Sequence, residues 1–298
     1  MPEEPFVDPL GLANIARLEL VARQAVEGFL AGRHPSPFHG SSVEYADHRP
    51  YTIGDELRSL DWKLLAKTDK YYVKLFEDQT NLRCTILLDT SRSMAFAAGG
   101  RITKFLYGAH LAAALGYLML RQNDAVGLAL YDHQVRQYVP ARSKPSHFRL
   151  MVDLLRTAKP RHESHMAPVM HELAGRLKRR GLIIVISDLL DDLDALFDAI
   201  SHFRYRKHEV IVFHVMDPHE LEFPYERLMR FQDMEGTGRI VANPSSVRRR
   251  YVQRLDTFLT AVKAQCHRRD VAYELARTDT AWDRMLGAYL DRRSQLTT

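Results

Sequence analysis

Only two of the 298 residues are cysteines, Cys84 and Cys266, too few for a disulfide framework or a cysteine-rich zinc cluster. Cys84 lies in an apolar, strand-like run, where a buried thiol is expected, and a reducing cytoplasm is the expected compartment. Long apolar stretches are also lacking. The longest, Leu111 to Leu120, has ten residues, whereas a membrane span needs about 20. The opening Met-Pro-Glu-Glu-Pro has no basic region ahead of an apolar core, so no secretory signal is read and a soluble protein is expected. Internal repeats and low-complexity tracts are absent. A strong charge bias is missing too: 42 basic against 37 acidic residues give a net charge of +5, interspersed and too small to argue for nucleic acid. The clusters Lys178 to Arg180 and Arg204 to Lys207 follow expected helices, where cations complement the helix dipole.

With 46% hydrophobic and 27% charged residues, the chain has an ordinary globular composition and enough length for a real core. Residues 8–30 carry an apolar stripe at helical spacing, and 33–40 read as a linker. The stretch from Ser41 to Gln79 is mixed and turn-rich, ending in an expected strand at Tyr71 to Phe76. Beyond it the pattern becomes regular. Strands are expected at Cys84 to Leu88, Ala125 to Tyr131, Val135 to Val139, Leu182 to Ile186 and Val210 to Val215. Helices are expected at Thr103 to Arg121, Phe148 to Leu155, Met166 to Leu177 and Leu193 to Phe203. A hairpin (Met229 to Asp233, Arg239 to Ala242), a helix (Val247 to Cys266), a strand (Val271 to Leu275) and a helix (Trp282 to Leu290) follow. This alternation implies an α/β fold, an open and mostly parallel sheet with helices on both faces. The N-terminal helix and turn-rich segment are expected to pack against it. The expected divisions are 1–37, 38–80 and 81–298.

Two turns carry the chemistry. The run Ile86-Leu87-Leu88 breaks into Asp89-Thr90-Ser91-Arg92-Ser93, so a carboxylate and two hydroxyls at alternate positions can face one point and hold a hard divalent cation. The most strand-like run, Leu182 to Ile186, breaks into Ser187-Asp188. Open parallel sheets bind ligands beyond the carboxyl ends of their strands, so Asp89 and Asp188 are expected at one crevice. Asp191 and Asp192 read as ordinary first-turn acids of the next helix. His162, His165 and His171 match no zinc spacing. Lys104 with Gly99-Gly100 is not a P-loop, because the Gly-Lys-Ser/Thr ending is missing.

Asp-x-Ser-x-Ser is the signature of the metal-ion-dependent adhesion site of von Willebrand factor A-type domains. That resemblance implies a third loop with a threonine at a helix start; here Ser164 stands in its place, keeping the hydroxyl. More specifically, the chain resembles the bacterial family catalogued as domain of unknown function fifty-eight, over about residues 38–293. The resemblance rests on Gly40 to Tyr45, on Arg49, Tyr51, Gly54, Asp55, Arg58, Asp61 and Trp62, on the two acidic turns, on Phe231, Asp233, Glu235 and Gly238, and on Tyr289-Leu290 with Arg292 or Arg293. It implies Mg²⁺ (or Mn²⁺ or Ca²⁺) at Asp89, Ser91, Ser93, Ser164 and Asp188, and a MoxR-type AAA+ ATPase as partner. The alternating charges Arg49, Asp55, Arg58 and Asp61 read as Arg–carboxylate pairs, or with Trp62 as a partner-binding surface.

The expected function is therefore a metal-dependent protein-interaction module without catalysis, an adaptor or co-chaperone whose metal receives a partner's Asp or Glu. The alternatives are a metal-dependent phosphoesterase or nuclease using Asp89 and Asp188, and a metal-free scaffold. No second aspartate stands two residues after Asp89, as an aspartyl-nucleophile phosphatase would require.

Overall fold

The computed structural model describes residues 42–52, 62–68, 71–79, 82–98, 102–234, 236 and 238–297. The expected helix at 8–30 and linker at 33–40 lie outside them, as do Gly54, Asp55, Arg58, Asp61, Gly99, Gly100 and Glu235. Two compact units are present, one within Phe38–Leu82 and one from Arg83 onward.

In the first unit, β1 (Ser42–Pro50) pairs antiparallel with β2 (Tyr72–Gln79), and α1 (Trp62–Thr68) lies between them in sequence. The register slips between Tyr45 and Asp47, the mark of a bulge. This corrects the reading of 41–79 as turn-rich with a single strand. β1 reads Ser-Val-Glu-Tyr-Ala-Asp-His-Arg-Pro, which has no alternating apolar face to announce it. Trp62 is 61% exposed, so it is not a core residue of this unit.

The second unit contains a six-stranded sheet in the order β10-β7-β6-β3-β4-β5. Its strands are β3 (Arg83–Asp89), β4 (Ala125–Tyr131), β5 (Val135–Arg142), β6 (Leu182–Ser187), β7 (Glu209–Met216) and β10 (Ala272–Arg277). All pairings are parallel except that of β5 with β4. The open, mostly parallel sheet expected from the sequence is therefore present. β4 and β6 are buried throughout and β3 from Cys84 on, which is why they read as continuous apolar runs and not as alternating ones.

Two helical layers bury the faces. Helix α2 (Lys104–Arg121) covers one face with α3 (Ser146–Thr157) and α8 (Trp282–Thr297) beside it. Every residue from Lys104 to Leu120 is buried, and Gly108 permits the close approach, since a Cβ there would stand 2.9 Å from Leu88 Cδ1. On the other face α4 (Met166–Arg176), α5 (Leu193–Tyr205) and α7 (Pro244–Arg268) pack Val169, Leu173, Phe197 and Phe203 against Leu87, Val185 and Val212. A short helix α6 (Pro218–Glu222) follows β7, and β8 (Met229–Gln232) pairs with β9 (Arg239–Ala242) as the expected hairpin. Among the described residues no helix is long and apolar enough to cross a membrane.

After β3 the chain steps to β4 and β5 on one side, then returns to β6 on the other. The winding direction thus reverses between β3 and β6, and ligands of such sheets bind beyond the carboxyl ends of the strands at that point. Leu88 pairs with Ile186 there, so Asp89 and Asp188 emerge side by side.

Candidate functional site

Three acids stand at the ends of three adjacent strands: Asp89 as the last residue of β3, Asp188 just after β6 and Asp217 just after β7, all fully buried. The first turn is closed by its own backbone. Thr90 N and Oγ1 both donate to Tyr131 O, at 2.6 and 2.8 Å, and Arg92–Ala95 winds into a 3₁₀ turn. This places Ser91 Oγ 3.0 Å from Ser93 Oγ. Asp89 is fixed by Ser91 N to Oδ1 at 2.8 Å, by Ser187 Oγ to Oδ2 at 2.6 Å and by the Ser91 hydroxyl. Ser93 donates to Asp188, which joins the two acidic turns. Asp89, Ser91, Ser93 and Asp188 are therefore brought together as the sequence suggested.

The Ser164 loop also arrives. Arg161 N donates to Thr90 O at 2.9 Å and Arg92 N to His162 O at 2.8 Å, which fastens residues 161–162 along the first turn and leaves Ser164 buried. Asp191 and Asp192 act as caps: Asp191 Oδ2 accepts from Met166 N at the start of α4, and Asp192 Oδ1 accepts from Asp194 N and Ala195 N of α5.

The residue that sequence reasoning missed is Lys104. Its ammonium, fully buried at the first position of α2, donates to Asp188 Oδ2 and to Glu220 Oε1, each at 2.7 Å. A local signal existed: a lysine in the first turn of an otherwise apolar helix opposes the helix dipole and is not placed there for helix stability. Glu220 was missed as well. Its other oxygen accepts from Asp217 N at 2.9 Å, in a capping box that starts α6. Asp217 accepts from Ala98 N, His219 N and Thr278 Oγ1; its cue was the Met216-Asp217-Pro218 break after a buried strand.

The two buried acids hold their protons differently. Burial, then the charge of Asp188, pushes Asp89 up to about 7 against the hydrogen bonds from Ser187 and Ser91. Burial works the same way on Asp188, but the Lys104 charge and hydrogen bond outweigh it and hold that carboxyl below the usual range. Burial opposes the Lys104 ammonium, yet Asp188 and Glu220 together keep it charged beyond its ordinary range. Beneath the second turn, His214 Nε2 lies 2.9 Å from Asp188 O and Nδ1 lies 3.0 Å from Tyr273 Oη. Only a donor can face a carbonyl, so Nε2 carries the proton and Nδ1 accepts from the tyrosine. Burial lowers this imidazole to about 4. Leu189, just beyond Asp188, has φ of 54°, strained backbone for a branched residue and of the kind found at binding turns.

A cleft of about 500 Å³ opens beside these groups, lined by Ser93, Leu190, Glu220, Phe223, Tyr225 and Phe231 among others. Phe223 stacks on Phe231 with centroids 5.5 Å apart and packs against Tyr251 at 4.6 Å. Leu190, next to the Asp188 turn, is 45% exposed at the rim.

The donor set is all oxygen, from carboxylates and hydroxyls, and so has the chemistry that a hard divalent cation selects. Among the described residues no group of three or more His, Cys, Asp or Glu side chains forms a metal cluster; the set here consists of two acids and serine hydroxyls. The fold and site define an α/β domain with buried acidic turns at the switch point of its sheet. Residues 47–257 match the family described as protein of unknown function DUF58, and the chain belongs to that family. An uncharacterised protein of Mycobacterium tuberculosis is 28% identical over 290 residues, covering 92% of this chain and 87% of that protein. The uncharacterised protein YeaD of Bacillus subtilis is 25% identical over 169 residues, covering 56% of this chain and 40% of that protein. Among solved structures, an aerotolerance-related membrane protein from Bacteroides fragilis aligns with a TM-score of 0.49 at 15% identity, covering 72% of this chain and 99% of that one.

Proposed function

We propose that this protein is a metal-dependent protein-docking module of the von Willebrand A type. The observation that carries this reading is the meeting of the two acidic turns at the switch point, which brings Asp89, Ser91, Ser93 and Asp188 together, with Arg161 and His162, just ahead of the buried Ser164, fastened along the first turn. Asp89, Ser91, Ser93, Ser164 and Asp188 would hold Mg²⁺, and the bound metal would offer a coordination position to a carboxylate of another protein. In this reading Asp89 supplies the charge not already matched by lysine, while Asp188 is held in place by Lys104. A partner's acidic segment would lie across the Leu190 rim and the aromatic cleft. Its partner, on the strength of the family resemblance, is a MoxR-type AAA+ ATPase, and the protein acts as its adaptor without turnover.

A second reading has one specific observation behind it. The Lys104 ammonium already neutralises Asp188, so the turn can persist as a metal-free scaffold with a lysine where the cation would act. Binding of a purified MoxR-type ATPase from the same organism, measured with Mg²⁺ and then with EDTA, separates the two. The docking reading expects binding that EDTA and Asp89→Ala both abolish; EDTA-insensitive binding supports the scaffold. Hydrolysis of a generic phosphoester that Asp89→Ala abolishes would overturn both.

A further inference from the structure

On the outer helical layer, away from the acidic turns in the sequence, His171 of α4 and His202 of α5 face each other with their Nδ1 atoms 3.0 Å apart. Both side chains are exposed. Their ring centroids are 4.4 Å apart and the planes cross at 63°, so the rings are not stacked. Two imidazoles joined head-on by a straight N–H···N bond would hold their centroids at about 5 Å. The shorter separation means that the two rings are bent away from a straight head-on line, as two rings sharing one ion also are.

We infer that His171 and His202 form a two-histidine chelate for a divalent transition-metal ion of the Zn²⁺, Ni²⁺ and Cu²⁺ class. With metal–nitrogen bonds of about 2.0–2.1 Å, a right-angle bite places the nitrogens about 2.9 Å apart and a tetrahedral bite about 3.3 Å apart. The observed separation falls between these values, so binding needs only a few tenths of an ångström of side-chain adjustment, about the width of an ordinary rotamer well. A metal would replace the single proton shared by the pair. Without it one Nδ1 must carry the proton and the other must not; with it both present lone pairs to the ion.

Nearby carboxylates are committed elsewhere. Glu172 pairs with Arg176, and Asp198, one turn before His202, pairs with Arg269. Among the described residues no third His, Cys, Asp or Glu completes a cluster, so water fills the remaining positions. Imidazole nitrogen selects borderline cations in the order Cu²⁺ above Ni²⁺ and Zn²⁺, and leaves Mg²⁺ in water. Donor chemistry therefore separates this site from the oxygen-lined turns. The ion would clip α4 to α5, the helices that follow the Ser164 loop and the Asp188 loop.

The test is calorimetric titration of tag-free, metal-stripped protein with NiCl₂, ZnCl₂ and CuCl₂ at pH 7.5, in excess Mg²⁺. One equivalent is expected to bind with micromolar affinity, tightest for Cu²⁺. His171→Ala and His202→Ala should each weaken that equivalent tenfold or more while leaving the metal-free melting temperature unchanged. If either variant keeps its affinity within twofold of wild type, or the wild type binds none of the three ions, the two histidines are a hydrogen-bonded pair only and the inference fails.

Discussion

Asp89 and Asp188 stand at the ends of neighbouring parallel strands, are both fully buried and belong to similar acidic turns, yet they are opposites electrostatically. Asp188 has an ammonium at 2.7 Å. Asp89 has two serine hydroxyls and a backbone N–H. Burial alone would push both toward the neutral acid; what divides them is the charge of the nearest donor. One turn comes with its cation built in, and the other is the turn to which a cation from solution would contribute most.

Breaking the built-in pair should have the largest effect. Lys104→Met leaves Asp188 and Glu220 buried without a counterion, and loss of one partner of a buried pair costs about 3–5 kcal/mol. Urea unfolding should show this as a large fall in midpoint. A partial recovery is expected in Lys104→Met combined with Asp188→Asn, because the double variant removes the orphaned charge.

The two acids can then be compared directly. Asp188→Asn takes a charge-assisted bond from Lys104 and should cost about 2–3 kcal/mol. Asp89→Asn keeps its shape and breaks no ion pair, so its cost should stay below about 1 kcal/mol. Equal costs in denaturant melts would remove the distinction between the turns. Ser187→Ala probes the Asp89 side by deleting a hydroxyl that both donates to Asp89 and accepts from Leu189 N. About 1–2 kcal/mol should be lost, through two buried groups left without their partner.

The smallest effect is with pH. Burial lowers His110 and His208 from the ordinary 6.5, so both are neutral in the folded protein and bind protons more readily when it unfolds. Their contribution is complete above pH 6.5 and is lost as pH falls through their lowered folded values. Asp89, raised to about 7, titrates in the opposite sense and favours the fold at lower pH, so the histidine effect is read in Asp89→Asn, whose urea midpoint should be lower at pH 5.5 than at pH 7.5.

Much of this was legible from local pattern. The apolar runs of β3, β6 and β7 show because parallel strands covered on both faces need no polar alternation, and Asp89 and Asp188 show because each breaks such a run. Lys104 could be seen but not interpreted. Its partners lie 84 and 116 positions further along the chain, so only the sheet order brings them together, and the sequence suggested a failed P-loop instead. Glu220 was hidden in a five-residue helix, too short for a periodic signal. β1 was hidden by its polar residues, and His171 because its counterpart His202 sits on another helix, at a separation that no zinc motif uses. Ser164 was found only through family resemblance; two backbone hydrogen bonds carry its loop to the site.

We propose that the Asp89 turn takes a divalent cation while Asp188 is already held by Lys104. Thermal unfolding of metal-stripped wild type and Asp89→Asn, each with and without about 10 mM Mg²⁺, tests it most directly, since a ligand that binds only the folded state raises the melting temperature. Wild type should melt about 2–4 °C higher with the metal, corresponding to about 1 kcal/mol of binding, and Asp89→Asn should show no rise. No rise in wild type, or the same rise in the variant, would contradict it.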